Sequence, residues 1–493
     1  MKELRGSDLL SKVHSDFIGL DTKYPLATGK ISRRIYLDST ASTLMMGAAF
    51  RTAEEFLHHY ANTHSEMHFS ARIATKTYDW VHQRILSFVG ANPEEYACFF
   101  VGSGATGGIN RMARVFRDFN PNKEIVIVSI MEHHSNDLPH RKHGGKVIHI
   151  SAEDHDGKLG CINLRGLEEN LKKYRNQVNY IAVTGVSNVT GIINPINEVT
   201  KLAHRYGAYL LVDGAQMAAH VPIQMGGHAD AELDIDALVF SGHKTYVPGS
   251  PGVVIARKNL LKDIEPEEVG GGMVGRVYEN RYIVKDKFPD REEAGTPNIF
   301  GAVALGAAVE ILDRIGMDFL LEEETKIINN VLEKMLEIPG INIYGDTDFS
   351  ACPRAASISF NIRGMDHGLI AALLNDYFNI AVRNECFCAH PYVEKMLDST
   401  HHEKIINVDQ LSDKFSIEPW MGMVRASFGI YNTREDGDAL IDALNKIIKN
   451  KRQLSEKYFV DHAGEYRHRT FQPECENYFS IVKTLGEMLK NRR

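Results

Sequence analysis

Seven short apolar runs, each followed by a turn and a stretch of helical length, constrain this chain more than any other feature. They read ACFFV, EIVIVSI, KVIHI, NYIAVTGV, AYLLVD, ALVFS and GVVIA, all between Ala97 and Ala256. Runs this apolar suit strands buried on both faces, and helix-length spacers between them imply a mostly parallel sheet covered by helices on either side. After about residue 310 the pattern changes. Phe319, Leu320, Ile327, Ile328, Val331, Leu332, Met335 and Leu336 recur at helical spacing, and a strand-like SISFNI and a loop-rich region follow. The cap-like TRED precedes a helix with Leu440, Ile441, Leu444, Ile447 and Ile448 on one face. The tail past Lys451 ends in an amphipathic stretch with Tyr478, Phe479, Ile481, Val482, Leu485, Met488 and Leu489, expected to be a packed extension. The division expected is a large domain over 36–312, with 1–35 and 313–493 forming a smaller α+β domain, an N-terminal arm and a C-terminal helical extension.

At 493 residues and 43% hydrophobic content the chain can bury one large core and a smaller one. A formal charge of -8 without a dense Lys/Arg block argues against nucleic-acid binding. The polar start MKELRGSDLLSKVHSDF and the lack of a membrane-length apolar run make a cytoplasmic protein the simplest expectation. Six scattered cysteines do not describe a disulfide framework. Cys386 and Cys388 with His390, His401 and His402 have the ligand count for zinc, but a reactive thiol is the better reading and no metal is expected.

Ligands of such sheets bind beyond the carboxyl ends of the strands, where the polar residues of this chain gather. GSGATGG, Gly102 to Gly108, follows a strand and opens a helix, as a phosphate site does. It also satisfies G-x-G-x-x-G, with Glu132 as the ribose ligand of a nicotinamide dehydrogenase reading. His133 of MEHHSN is either a hydrogen-bonded loop residue or a ring that stacks on a flat cofactor and exchanges a proton near neutral pH. Asn188 of VSNVTG and Gln216 of VDGAQ can donate to a ring hydroxyl. Asp213, ending AYLLVD, is a helix cap or the partner of a pyridinium nitrogen. Lys244 closes ALVFSGHK, where a low-dielectric site makes a lysine both nucleophile and base toward an aldehyde, which points to pyridoxal phosphate.

In order, GSGATGGIN, EHHSN, VSNVTG, VDGAQ, FSGHK, EAGTPN and VRASFGIYNT resemble the class V aminotransferase superfamily of pyridoxal 5'-phosphate enzymes. Within it the chain looks most like the group II cysteine desulfurases, the selenocysteine lyase-like branch, from near Tyr36 to about Lys451. The resemblance implies fold type I, a large domain with a seven-stranded sheet plus a smaller one. It implies that Lys244 holds the cofactor, that Asp213 pairs with its ring nitrogen, that His133 stacks on it, and that Asn188 and Gln216 contact the phenolic oxygen. Thr106, Ser241 and His243, with backbone from Ala105, would bind the phosphate, and Thr296 of EAGTPN would reach that of a neighbouring subunit in a homodimer. Arg425 would clamp the substrate carboxylate with help from Arg383, the alternative being an internal Asp or Glu partner for Arg425. Cys388 of VRNECFCAHPY matches the family's VR-x4-C-A-x-P and would attack the sulfur of L-cysteine, leaving alanine and a persulfide for a protein acceptor.

Several positions depart from the family pattern. Glu385, Cys386 and Phe387 stand where the family has a glycine and two histidines, Ser65 of HSEMH replaces an arginine, and Ala105 replaces a hydroxyl residue. The segment LDSTHHEKIINVDQLSDKF lengthens the stretch before Arg425 by about twenty residues, as a lid or partner surface. Carbon-sulfur lyase, selenocysteine lyase or aminotransferase chemistry on another amino acid are the alternatives within the superfamily.

Overall fold

In a computed structural model, which describes residues 4–401 and 422–490 and the side chains up to 397 and from 422, each of the seven apolar runs forms a strand of one sheet. In chain order these are β1 (Tyr96–Val101), β2 (Ile125–Ser129), β3 (Lys146–Ile150), β4 (Val178–Thr184), β5 (Tyr209–Asp213), β6 (Ala237–Ser241) and β7 (Gly252–Arg257). The spatial order is β1-β7-β6-β5-β4-β2-β3. Only β7 runs antiparallel to its neighbours.

Alternate residues of the strands enter two different cores, which explains why the runs are apolar without interruption. Phe100, Ile127, Ile181, Val212 and Phe240 pack into one layer. Phe99, Val126, Tyr180, Leu211 and Val239 pack into the other, against α1 (Gly104–Phe119). A Cβ at Gly108 would lie 2.6 Å from Val239 Cγ1 and from Val254 Cγ2, so a glycine there sets how closely α1 approaches the sheet. The chain goes from β2 outward to β3 and then returns past β2 to β4, β5 and β6. This reversal opens a crevice at the carboxyl ends of β2 and β4.

A second, antiparallel sheet holds β8 (Ile341–Ile343), β9 (Ser357–Ile362), β10 (Arg383–Glu385) and β11 (Met423–Ser427) in the order β8-β9-β11-β10. Its core takes Ile328, Val331, Leu332 and Met335 from α2 (Met317–Leu336), Leu373 and Leu374 from α3 (His367–Phe378), and Leu440, Leu444 and Ile447 from the helix after TRED. Two side chains of the expected α2 stripe are only partly covered, Phe319 and Ile327, and Leu336 faces solvent. α4 (His390–His401) follows the loop of Cys388, and α5 (Arg434–Lys449) begins at a capping box in which the Asp436 carboxylate accepts from Thr433 N at 3.3 Å.

The C-terminal stretch departs from expectation. It forms α6 (Ile481–Lys490), but Ile481, Val482, Leu485, Met488 and Leu489 are all exposed and no residue of the helix is buried. Tyr478 just before it meets Tyr24 edge-on at 5.5 Å. The helical period in the sequence is right, but among the described residues no surface covers the apolar face. The insert LDSTHHEKIINVDQLSDKF lies largely outside the described residues, as does the zinc candidate His402. No helix among the described residues is long and apolar enough to cross a membrane.

Candidate active site

At the carboxyl edge of the large sheet the side chains change from apolar to polar, and a cavity of about 410 Å³ opens there. Thr106, His133, Asn188, Asp213, Gln216 and Lys244 line it, and so do Ala105, Ser241 and His243. Nine residues from five separate motifs thus converge on one space.

Asp213 ends β5 in the middle of the sheet, 3% exposed. Its carboxylate accepts a single bond, from Ala215 N at 2.9 Å, and burial raises its pKa. The turn after β6 brings in Lys244, whose amine has no hydrogen-bond partner among the described residues. Burial lowers its pKa to about 8, with Asp213 opposing and Arg425 adding to the shift. A buried amine close to neutrality is a nucleophile and a base.

The N-terminus of α1 forms another wall. Gly104 has φ +56°, and a Cβ on it would stand 2.9 Å from Ser241 Oγ. That hydroxyl accepts from Ala105 N at 2.7 Å, whereas the amides of Gly104 and Thr106 have no backbone partner among the described residues. Open first-turn amides at the positive end of a helix favour an anion. Thr106 Oγ1 pairs with Ser135 Oγ at 2.7 Å, and His243 Nδ1 lies 3.2 Å from Ser42 Oγ. Burial, then Lys244, lowers the His243 pKa to about 4.

His133 differs from the sequence reading in one respect. Its Nδ1 accepts from Ser135 N at 3.0 Å, so the neutral ring carries its proton on Nε2. Burial foremost, then Lys244, His134 and Arg425, lowers its pKa to about 3. It therefore offers an uncharged flat face rather than a group that titrates near neutrality. Asn188 and Gln216 each spend one amide proton on a backbone carbonyl, Phe387 O at 2.8 Å and Thr40 O at 2.8 Å, which leaves the second proton of each.

Cys388 is exposed and sits on a loop that the cavity rim holds in place. Its carbonyl accepts from His134 N at 2.7 Å, and Asn188 bonds the residue before it. His390 Nδ1 lies 3.0 Å from His134 Nε2, with the two rings stacked at 4.9 Å. Glu385, Phe387 and Cys388 all have positive φ, at 93°, 51° and 56°, a left-handed path that non-glycine residues keep only when their surroundings impose it. The Cys388 thiol is close enough to act electrostatically on both Lys244 and Arg425. Cys386 is buried, and burial, then Glu394, Glu385 and Cys388, raises its pKa to about 11. The two cysteines therefore stand in different environments, one in the core and one open to solvent. Among the described residues Cys386, Cys388 and His390 form no metal-ligand cluster, and the side chains of the other two candidates, His401 and His402, lie outside them.

Arg425, on β11, is 3% exposed. It donates to Asn188 O at 2.7 Å, lies over the Phe387 ring at 4.6 Å, and approaches Asp38 Oδ1 only to 3.5 Å. Its Nε has no hydrogen-bond partner among the described residues. Asp38 is the internal acid considered as the alternative partner, but the loose contact leaves donors for another carboxylate. Burial lowers the Arg425 pKa to about 10, well above neutrality. Arg383, exposed on β10, reaches the other oxygen of Asp38 at 4.0 Å.

Two positions lie elsewhere. Thr296 is exposed, accepts from Asn62 Nδ2 at 3.2 Å, and does not line the cavity. Glu132 is 2% exposed and accepts from Ser129 Oγ at 2.5 Å, Asn136 Nδ2 at 2.6 Å and Thr184 N at 3.1 Å. With those donors occupying it, Glu132 holds the strand-end turn and is not a ribose ligand, which removes the dehydrogenase reading. Sequence reasoning missed Asp38, Ser135 and Thr184. Asp38 begins the DSTAS segment, the one available signal.

A flat aromatic aldehyde bearing a phosphate fits this donor set. Lys244 can condense with the aldehyde, the Asp213 carboxyl, with one bond among the described residues, can take a ring N–H, His133 presents a neutral face, and α1 presents open amides.

Comparison with known proteins agrees. The family model for class-V aminotransferases matches residues 35–440. A Halalkalibacterium halodurans protein named "Probable cysteine desulfurase" is 32% identical over 420 residues, 84% of this chain and 92% of the relative. A cysteine desulfurase of Escherichia coli O127:H6 is 32% identical over 446 residues, 89% of this chain and 98% of the relative. Among solved structures, an apo cysteine desulfurase from Thermococcus onnurineus NA1 superposes with a TM-score of 0.74 at 28% identity, over 91% of this chain and all of that one. The Escherichia coli cysteine desulfurase CsdA in its S-sulfonic acid form gives 0.70 at 25% identity, over 89% and 98%.

Proposed function

The chain belongs to the class-V aminotransferase family, and within it we propose a pyridoxal 5'-phosphate-dependent cysteine desulfurase that converts L-cysteine to L-alanine and takes the sulfur onto Cys388 as a persulfide. The relatives named above support this, as does the cavity. When bound, pyridoxal phosphate supplies an electron sink for negative charge at the α-carbon of an amino acid.

The residues divide the work. Lys244 would anchor the cofactor and, as a free amine, would move a proton from and to the substrate α-carbon. Asp213 would keep the ring nitrogen protonated, His133 would stack on the ring, and Asn188 and Gln216 would donate to its phenolic oxygen. Thr106, Ser241 and His243, with the Ala105 backbone, hold the phosphate, joined by Thr296 from a second copy in a homodimer. Arg425 and Arg383 bind the substrate carboxylate. Cys388 Sγ bonds to the substrate sulfur as the sulfur–Cβ bond breaks, and the carbon left behind takes a proton. A protein acceptor then removes the terminal sulfur.

The observation that carries this reading is the way the Cys388 loop is tied to the rim, through His134 N and the Asn188 amide. Such ties support a role for a thiol at the cavity rim, which aminotransferase chemistry does not need. The test is alanine release from L-cysteine with a reductant, comparing the unmodified protein with Cys388→Ala at equal cofactor absorbance. Turnover lost in the variant is expected. No alanine from the loaded parent refutes the reading, and undiminished turnover in the variant replaces it with a lyase that does not use this thiol.

A further inference from the structure

Away from the cavity, the hairpin of Ala152–His155 and Lys158–Ile162 meets the loop that runs to Cys352. His155 Nδ1 lies 2.5 Å from Asp346 Oδ2, and ligand atoms of His155, Asp346 and Cys352 fall within 4.8 Å of one another. Cys161 Sγ lies 3.5 Å from Cys352 Sγ. Cys352, Asp346 and Cys161 are 1%, 5% and 7% exposed, whereas His155 opens to solvent and gives an ion a way in. A Cβ at Gly160 would stand 2.9 Å from Cys352 Sγ and 3.7 Å from His155 Cε1, so the space beside the sulfur exists because this residue has no side chain. None of the four residues has a part in the proposed reaction.

We propose that His155, Asp346, Cys352 and Cys161 form a zinc site. Zinc takes four ligands tetrahedrally at about 2.0–2.3 Å, which separates the ligand atoms by roughly 3.3–3.8 Å. The sulfur pair already has that spacing, the His155–Asp346 pair has to open by less than about 1 Å, and Cys161 Sγ, which stands outside the 4.8 Å group of the other three, has to move in toward them. Two thiolates with an imidazole suit zinc rather than magnesium or calcium, which take oxygen ligands. Binding releases the two thiol protons to solvent. Two thiolates and a carboxylate around a divalent ion leave one negative charge, and the buried Arg354 guanidinium, which acts electrostatically on Asp346 and Cys352, offsets it.

The site would brace the cavity from behind. Arg354 Nη1 donates to Thr190 O at 3.0 Å, Ile193 N to Pro353 O at 2.9 Å, and Ala355 N to Gly191 O at 2.8 Å. These bonds join the Cys352 loop to the turn that carries Asn188, so an ion fixing one steadies the other.

The test exposes the cofactor-loaded protein to zinc(II), removes loosely held ions with a weak chelator and measures metal per chain. A Cys388→Ala background removes the exposed loop thiol as a competing ligand. One zinc per chain is expected in both, with affinity weakened at least about tenfold by Cys352→Ser and by His155→Gln, whose exposed position spares the fold. Cobalt(II) in place of zinc should give thiolate charge-transfer absorption that Cys352→Ser diminishes. Substoichiometric metal in the parent, metal retained undiminished by both variants, or a Cys161–Cys352 disulfide in the isolated protein would each overturn the proposal.

Discussion

Arg425→Lys tests how substrate is held. The native guanidinium is fixed by Asn188 O at 2.7 Å and by the Phe387 ring, and it meets Asp38 only at 3.5 Å, with Nε unpartnered among the described residues. It can keep its Asn188 bond and still present a planar fork to a carboxylate. Lysine keeps the charge but is a point donor, so at least one charge-assisted bond is lost. Such a bond is worth about 1.5–3 kcal/mol, which is about 10- to 150-fold in kcat/KM for L-cysteine. Because the carboxylate is held in substrate and transition state alike, the loss should appear mainly as raised KM. The assay is alanine formation against L-cysteine concentration, at cofactor absorbance equal to the parent's. A change of less than about threefold, or a fall confined to kcat, would refute the carboxylate role.

Three further outcomes follow from the same structure. Burial holds the Lys244 pKa near 8 against 10.5 for an ordinary lysine, so in cofactor-free protein the unfolded chain binds more proton between those values and stability rises with pH across that window; Lys244→Met should therefore raise Tm at pH 7, with the gain shrinking toward pH 10, and an unchanged or lower Tm at pH 7 would count against the desolvated amine. Glu132→Ala strands donors from Ser129, Asn136 and Thr184 in the core, and denaturant unfolding should show a loss of about 3 kcal/mol or more; a loss under about 1 kcal/mol would mean the network is not structural. Cys386→Ser should keep alanine formation within about twofold, because the thiol is buried with its pKa raised to about 11, and abolished turnover would place the sulfur on the wrong cysteine here.

The large sheet was legible because its strands are buried on both faces, so each writes a continuous apolar run, and because polar residues directly after those runs must stand at one edge. Asp213, His133, Asn188 and Lys244 were found for that reason. What sequence could not show depends on contacts between distant segments. Asp38 meets Arg425 because the segment around it pairs with the small sheet, where Asp38 bridges to Ser427. The Cys161–Cys352 pair joins positions 191 residues apart. The spacing VR-x4-C-A-x-P singles out Cys388 but does not show that Cys386 is in the core and Cys388 in solvent, which the left-handed turn at Phe387 and Cys388 brings about. For α6, helical period reports an apolar face but not what covers it.

The central claim is that Cys388 receives the substrate's sulfur. The measurement that reaches it most directly is peptide mass spectrometry of cofactor-loaded protein treated with L-cysteine in the absence of reductant, with thiols alkylated. The peptide carrying Cys388 should gain the mass of one sulfur atom, removed again by a reductant, with one alanine formed per sulfur bound. Alanine formed while the added sulfur sits on Cys386 or Cys475, or on no cysteine at all, would contradict it.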